Sequence, residues 1–405
     1  MNEKEPMSQP IDPQPSTRVS GRPTGLGPLT SAAFLIGGLG ALALVAGYLT
    51  QPEQFFRSYL VSFFLVLAIA LGSLALAMVH HLSSGAWGLI VRRILEAASR
   101  TLPFVLLLFL PLLLGLGELY SWAQPEKVAV DEHLQHRTPW LNEPFFIARA
   151  AIYFGAWLVF AALLNRWSLQ QDLTGDPSYR NRMRALSGAG LLAYGLTATF
   201  ASFDWQMSLD HHLHSSLHGM MFIVDQGLAT LAFLVPVAVY LAQREPLSRV
   251  FQPSHFHDYG KLMLAFVMLW AYLNVSQFLI IWSGNLPEEI LYYQDRMDTP
   301  WKWVSLGMVL FHFLLPFLLL LSRDLKRNAA RLTAVALLLL AMRWVDYHWF
   351  VAPIFHPEGI SFHWLDLAAL AGLGGLWFGI FLGQLEKRDL IPTRDPELKD
   401  VLSHG

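Results

Sequence analysis

The chain has 405 residues, with 28 Lys and Arg against 30 Asp and Glu for a formal charge of −2; 54% of its residues are hydrophobic and only 14% charged. A mean hydropathy of +0.41 lies outside soluble-domain composition, and the near-neutral balance excludes a basic nucleic-acid surface. Cysteine is absent, which excludes thiolate-held iron–sulfur clusters and covalently attached c-type haem.

In chain order, residues 1–28 hold six prolines and no short apolar core with a cleavage site, so they read as a disordered cytoplasmic tail rather than a signal peptide. Ten stretches then have the roughly 20 apolar residues that a membrane-spanning helix needs: 29–49, 57–80, 102–122, 144–165, 184–203, 217–241, 260–282, 301–322, 331–352 and 362–385. None shows the ten-residue alternation of a membrane β-barrel. The fold class expected is an all-α polytopic membrane protein with about ten transmembrane helices over 29–385 and a second cytoplasmic tail at 386–405.

Between the second and third spans, residues 85–100 (GAWGLIVRRILEAASR) read as an amphipathic helix on the cytoplasmic interface, with Arg92 and Glu96 paired at i,i+4. Ten spans put both ends of the chain on one side. That side carries twenty-one of the 28 Lys and Arg, the opposite side five, and two (Arg149 and Arg343) fall within spans. The positive-inside rule makes both termini cytoplasmic. Trp122, Trp140, Trp205, Trp282, Trp301, Trp303, Trp349 and Trp364 fall at the opposite span ends, as an aromatic belt would.

The segment Phe200–Gln226 is the most unusual. It holds His211, His212, His214 and His218 with Asp204, Asp210 and Asp225, and not one Lys or Arg. Ionisable groups inside a span cost roughly 2.5–3.5 kcal/mol each on insertion scales, so their default reading is function. Other intramembrane polar groups are Glu118, Arg149, Asn274, Gln277, His312, His348, Asp366 and the i, i+3, i+4 set Arg343, Asp346 and Tyr347. Nearly all lie in the outer half or at the midplane, which points to a polar cavity or half-channel opening on the hairpin side. Each has a plainer reading beside it. Arg343 with Asp346 also reads as a helix-bracing ion pair, and Glu118 and Asp366 as solvated interface groups. Asp225 has no local partner on its own helix. His312 and His348 differ in depth, which disfavours a bis-histidine haem; the hairpin histidines offer at most opportunistic metal binding, and no metal site is expected.

At this point a family likeness enters. SFDWQMSLDHHLHSS (202–216) resembles the SFDW-x-MSLEPHW-x-S signature of the quinol-oxidoreductase membrane subunits of bacterial alternative complex III, within the NrfD-like (polysulfide-reductase membrane subunit) family. RRILEAASRTLP (92–103), PFFIARAAIYFGAWLVFAALLNRWS (144–168), GKLMLAFVMLWAYLNVSQFLIIWSGNLPEE (260–289) and RWVDYHWFVAP (343–353) are similar too, and the last two favour the second of two paralogous subunits. The resemblance implies two four-helix bundles (about 57–203 and 217–352) plus two peripheral helices, with no cofactor held by this chain. It also implies partners: the paralogous membrane subunit, an iron–sulfur subunit and multihaem cytochrome c subunits in a bacterial cytoplasmic membrane, oxidising a quinol (menaquinone or ubiquinone). The chain departs from the signature at His211 and Leu213, where Pro and Trp are usual, and at Asp225, where a small residue is usual.

Two expectations of different class follow. In the first, a quinol:acceptor oxidoreductase subunit, Asp204, Asp210, His212 and Asp366 frame an outer mouth or quinone site. Asp225, His312, Arg343, Asp346, His348, Glu118 and Arg149 then form a proton pathway. In the second, the chain is a stand-alone ion or solute transporter; a purely structural anchor for redox subunits is the remaining reading.

Overall fold

The computed structural model describes residues 21–23, 25–210, 212–392, 394, 395 and 398. Every regular element among them is helical. Among the described residues nine helices are long and apolar enough to cross a membrane: α1 (Gly27–Thr50), α2 (Pro52–Ser83), α3 (Arg92–Leu114), α4 (Glu143–Thr174), α5 (Ser178–Leu209), α6 (His218–Ala242), α7 (Pro253–Gly284), α8 (Lys302–Leu321) and α10 (Trp364–Leu385). The stretch expected at 331–352 forms α9 (Ala329–Phe355), 27 residues long and thus about 40 Å. It falls outside the nine because Arg343, Asp346 and His348 dilute its apolar character.

Helix is the solution here because lipid offers backbone groups no partners and only internal hydrogen bonding satisfies them. The ends follow local chemistry. Asn142 and Asn328 cap α4 and α9 through side-chain oxygens that accept the Phe145 and Arg331 N–H groups at 3.0 Å. Gly175, at φ +71°, closes α4 in the left-handed region.

α2, α3, α4 and α5 touch in turn and close a ring; α6, α7, α8 and α9 close a second. α2 is the axis of the molecule, since it also packs on α6, α9, α10 and α1 and is nearly all buried. Its Gly72 is required there: a Cβ would sit 2.5 Å from the Gln226 carbonyl oxygen of α6. α1 and α10 pair along glycines, Gly40 facing Gly372 and Gly37 facing Gly375. The ends of the described chain adjoin, with the Leu390 N–H donating to the Gly21 carbonyl at 3.2 Å.

Three expectations change. Residues 1–20 and 24 lie outside the described residues, as do 393, 396, 397 and 399–405. Within the rest of the presumed N-terminal tail Pro23 and Leu26 are buried, and α1 already starts at Gly27. The segment 85–100 does form the Arg92–Glu96 pair (2.9 Å) but its charged residues are not on the surface of the protein. Arg92, Arg93 and Glu96 are almost wholly buried, because Asp395 pairs with Arg92 at 2.8 Å and Ser168 and Asp172 of α4 pair with Arg93. The tryptophans divide as well. Trp140, Trp282, Trp303 and Trp364 are exposed as a belt requires, whereas Trp122, Trp205, Trp301 and Trp349 are buried in the packing.

Candidate functional site

Each ring buries one arginine against aspartate near the hairpin that joins α5 to α6. In the first ring Asp204, fully buried, accepts Arg149 Nε at 2.7 Å, Arg149 Nη2 at 2.8 Å, the Tyr153 hydroxyl at 2.7 Å and the Trp140 indole N–H at 3.0 Å. Arg149 Nη1 donates to the Trp140 carbonyl at 2.7 Å, and the guanidinium lies 4.3 Å and 4.4 Å from the Trp140 and Phe145 ring centres. A bidentate pair with its remaining lone pairs taken is the strong, orienting kind of ion pair. Arg149 and Asp204, expected in different roles, are partners in one closed knot.

The second ring is different. All four of its helices send polar groups to one place: Asp225 from α6, Trp270, Asn274 and Gln277 from α7, His312 from α8, and Arg343, Asp346 and Tyr347 from α9. Arg343 is fully buried. Its Nη1 donates to Asp346 Oδ2 at 2.6 Å and lies 2.9 Å from Asp225 Oδ1, the latter an ionic contact outside hydrogen-bond alignment. Asp346 Oδ2 also accepts the Trp270 indole N–H at 2.9 Å. Several atoms have no aligned hydrogen bond: Arg343 Nε and Nη2, the Tyr347 hydroxyl beside that guanidinium, Gln226 Nε2 and both ring nitrogens of His312. His312 sits in a π-helical stretch, Met308–Leu314, with its ring centre 4.1 Å from that of Trp270. Such stretches often mark functional positions.

A cavity runs from this cluster to the hairpin. Its floor is Asp225, Arg343, Asp346 and Tyr347; its roof is Gln206 at the end of α5 and His218 at the start of α6 with Tyr292 and Tyr293 from a short helix, Leu291–Met297, before α8. It offers water centres about 30 Å³, room for one or two waters and far below the several hundred Å³ of a small-molecule site. The roof is fixed by hydrogen bonds. His218 Nε2 faces Gln206 Oε1 at 3.1 Å, and buried Arg296 donates to the carbonyls of Tyr292 (2.8 Å) and Phe350 (3.0 Å). Burial pushes the Tyr292 phenol up to about 12 against the opposing pull of Arg296.

The other expected site residues fall elsewhere. Glu118 is exposed and lines an open hollow of about 530 Å³ with Glu53, Arg57, Lys127 and Asp131. His348 lies five residues beyond Arg343, about 140° round the helix; it stacks on Trp344, and its Nε2 faces the Ser361 carbonyl at 2.9 Å. Asp366 is buried in a cap, accepting the His363 N–H at 2.8 Å and the Ser58 hydroxyl at 2.5 Å. In the hairpin, Asp210 accepts the His212 N–H at 2.9 Å and His214 meets Arg137. Leu213 is buried with Ile281, Tyr292 and Tyr293. His211 lies outside the described residues. Among the described residues no three His, Asp or Glu side chains are grouped to hold a metal ion.

Sequence reading missed Trp270, Gln206, Tyr292 and Arg296 as site groups. Arg296 alone carried a signal, as one of few cations on the hairpin side; the others are ordinary belt or loop residues until packing is known.

Fold and site together define a multi-pass, all-helical membrane protein with a narrow polar cavity entering one of its helix rings. No family model matches the sequence, and no curated protein matches it.

Proposed function

We propose that this chain is an integral membrane subunit of a quinol:electron-acceptor oxidoreductase of the alternative complex III type, in the NrfD-like family, and that its own part is a proton pathway. In this reading the two helix rings are the family's two four-helix bundles, α1 and α10 the peripheral pair, and α9 the tenth span. The membrane is the bacterial cytoplasmic membrane, both termini are cytoplasmic, and the hairpin faces outward toward iron–sulfur and multihaem cytochrome c partners. The family assignment rests on the motif at 202–216 and its companion segments.

The observation that carries the proton role is the cavity: wet-sized, too small for a quinone ring, and ending on buried ionisable groups with unpartnered atoms. Water in such a site bridges polar groups nearly as well as a direct hydrogen bond. Menaquinone or ubiquinone then binds outside this cavity, at a neighbouring subunit. A stand-alone ion or solute transporter is expected to carry matched discontinuous helices at the midplane of its two halves, and a purely structural anchor needs no unsatisfied buried cluster.

The test is purification of the tagged chain in mild detergent with haem staining and partner identification. The reading requires multihaem and iron–sulfur partners; their absence sinks it.

A further inference from the structure

Charge counting in the second ring leads one step further. Arg343 stays cationic at any physiological pH. Two carboxylates face it, so with both ionised the cluster carries one uncompensated negative charge in a site that only a few cavity waters can reach. Isolated buried charge is avoided by neutralisation. The ionisable groups that face Asp225 do not supply a second cation. They are Arg343, Asp346 and Tyr347 from α9, Tyr292 and Tyr293 from the roof, and His218 from its own helix, whose buried Nδ1 meets no acceptor to hold a second proton. Behind Arg343 lie His312 on α8 and Tyr194 on α5, the latter donating to Gln226 Oε1 at 2.8 Å. From α2, Gly72 meets the Gln226 backbone and Phe64 the Tyr347 ring, neither ionisable. Arg296 is engaged by carbonyls of the roof.

We infer that the Arg343–Asp225–Asp346 cluster is a binding site for a single exchangeable proton, carried on the Asp225 carboxyl, with Arg343 and Asp346 as its fixed ion pair. Hydrogen bonds to the ionised form hold a carboxylate ionised, and Asp346 Oδ2 has two, from Arg343 and Trp270. Asp225 Oδ1 has none aligned on it. The fully buried Arg343 Nε and Nη2 and the Tyr347 hydroxyl, without aligned hydrogen bonds, are the further groups that waters beside Asp225 can bridge. The step is proton transfer alone: a proton arriving through the cavity as hydronium binds the Asp225 carboxylate and leaves a neutral water, and the carboxylic acid returns it to a cavity water as hydronium.

This deepens the proton-pathway reading and rests on it for its purpose, but its measurement needs no redox partner. The full-length chain in detergent at pH 7 is recorded by infrared spectroscopy. Wild type is expected to show the C=O stretch of one protonated carboxyl that is lost in both Asp225→Asn and Asp346→Asn, because either variant leaves Arg343 with one carboxylate and no need of a proton. Asp225→Glu, which keeps the carboxyl should an asparagine variant fold poorly, is expected to displace the band; Asp346→Glu is expected to leave it in place. No band in wild type, a band surviving either asparagine variant, or a band displaced only by Asp346→Glu overturns the assignment. Missing redox partners with the band present would instead sink the assembly reading and leave the proton site standing.

Discussion

The two helix rings solve one problem in opposite ways. Both bury an arginine near the hairpin, yet the first aims four donors at Asp204 and stacks Arg149 between aromatic rings. The second gives Arg343 two carboxylates, leaves Nε and Nη2 without acceptors, and opens a water-sized cavity beside them. A saturated network rigidifies, whereas a partly satisfied one in the same low dielectric is costly. A protein that retains such a cost in one ring, with the closed solution available in the other, points to use.

The largest test of that contrast is Asp204→Ala. It leaves Arg149 buried without its partner, and the expected loss is about 3–5 kcal/mol of stability, read as a fall in thermal unfolding temperature and in yield. Asp225→Asn is expected to do the reverse: assembly preserved, and quinol-driven proton release down roughly a hundredfold, the low end for a positioned proton carrier. Wild-type turnover in that variant would remove Asp225 from the mechanism. Deleting one hydroxyl from each cluster sharpens the comparison. Tyr153→Phe removes a bond to a charged carboxylate, and the expected cost is about 1.5–3 kcal/mol; Tyr347→Phe removes a group with no aligned hydrogen bond, and the expected change is within about 0.5 kcal/mol in chemical denaturation. Equal costs would erase the distinction. The last test concerns the roof and shows only at alkaline pH. Tyr292 keeps its proton in the fold up to about 12 against 10.0 unperturbed. Its contribution is therefore complete below pH 10 and lost as pH rises toward 12, so Tyr292→Phe is expected to flatten that part of the alkaline stability profile.

Much of the architecture was legible from apolar run length, because lipid imposes helix on any such run. Polar spacing along one helix was legible too: Arg343 and Asp346, three apart, do meet. What hydropathy cannot carry is which helix faces which. Arg149 and Asp204 stand 55 positions apart, and nothing local says that they pair, so each was assigned a separate task. Residues 92–96 looked amphipathic because the partners that bury them, Asp172 and Asp395, come from distant segments. His348 seemed to continue the Arg343 set by adjacency, but helical rotation turns it to another face. The family motif located the hairpin and said nothing of Trp270 or Arg296, which reach the site only through packing.

The Arg92–Asp395 bond has a consequence for biogenesis. The two residues are 303 positions apart, so Arg92 is made early in synthesis and its counter-ion arrives only after α10 has been made. Until then Arg92 has Glu96 and its neighbours but not its full complement. Attachment of the segment after α10 thus completes the packing around Arg92, and chains cut before residue 395 are expected to leave that cation under-compensated and open to membrane quality control.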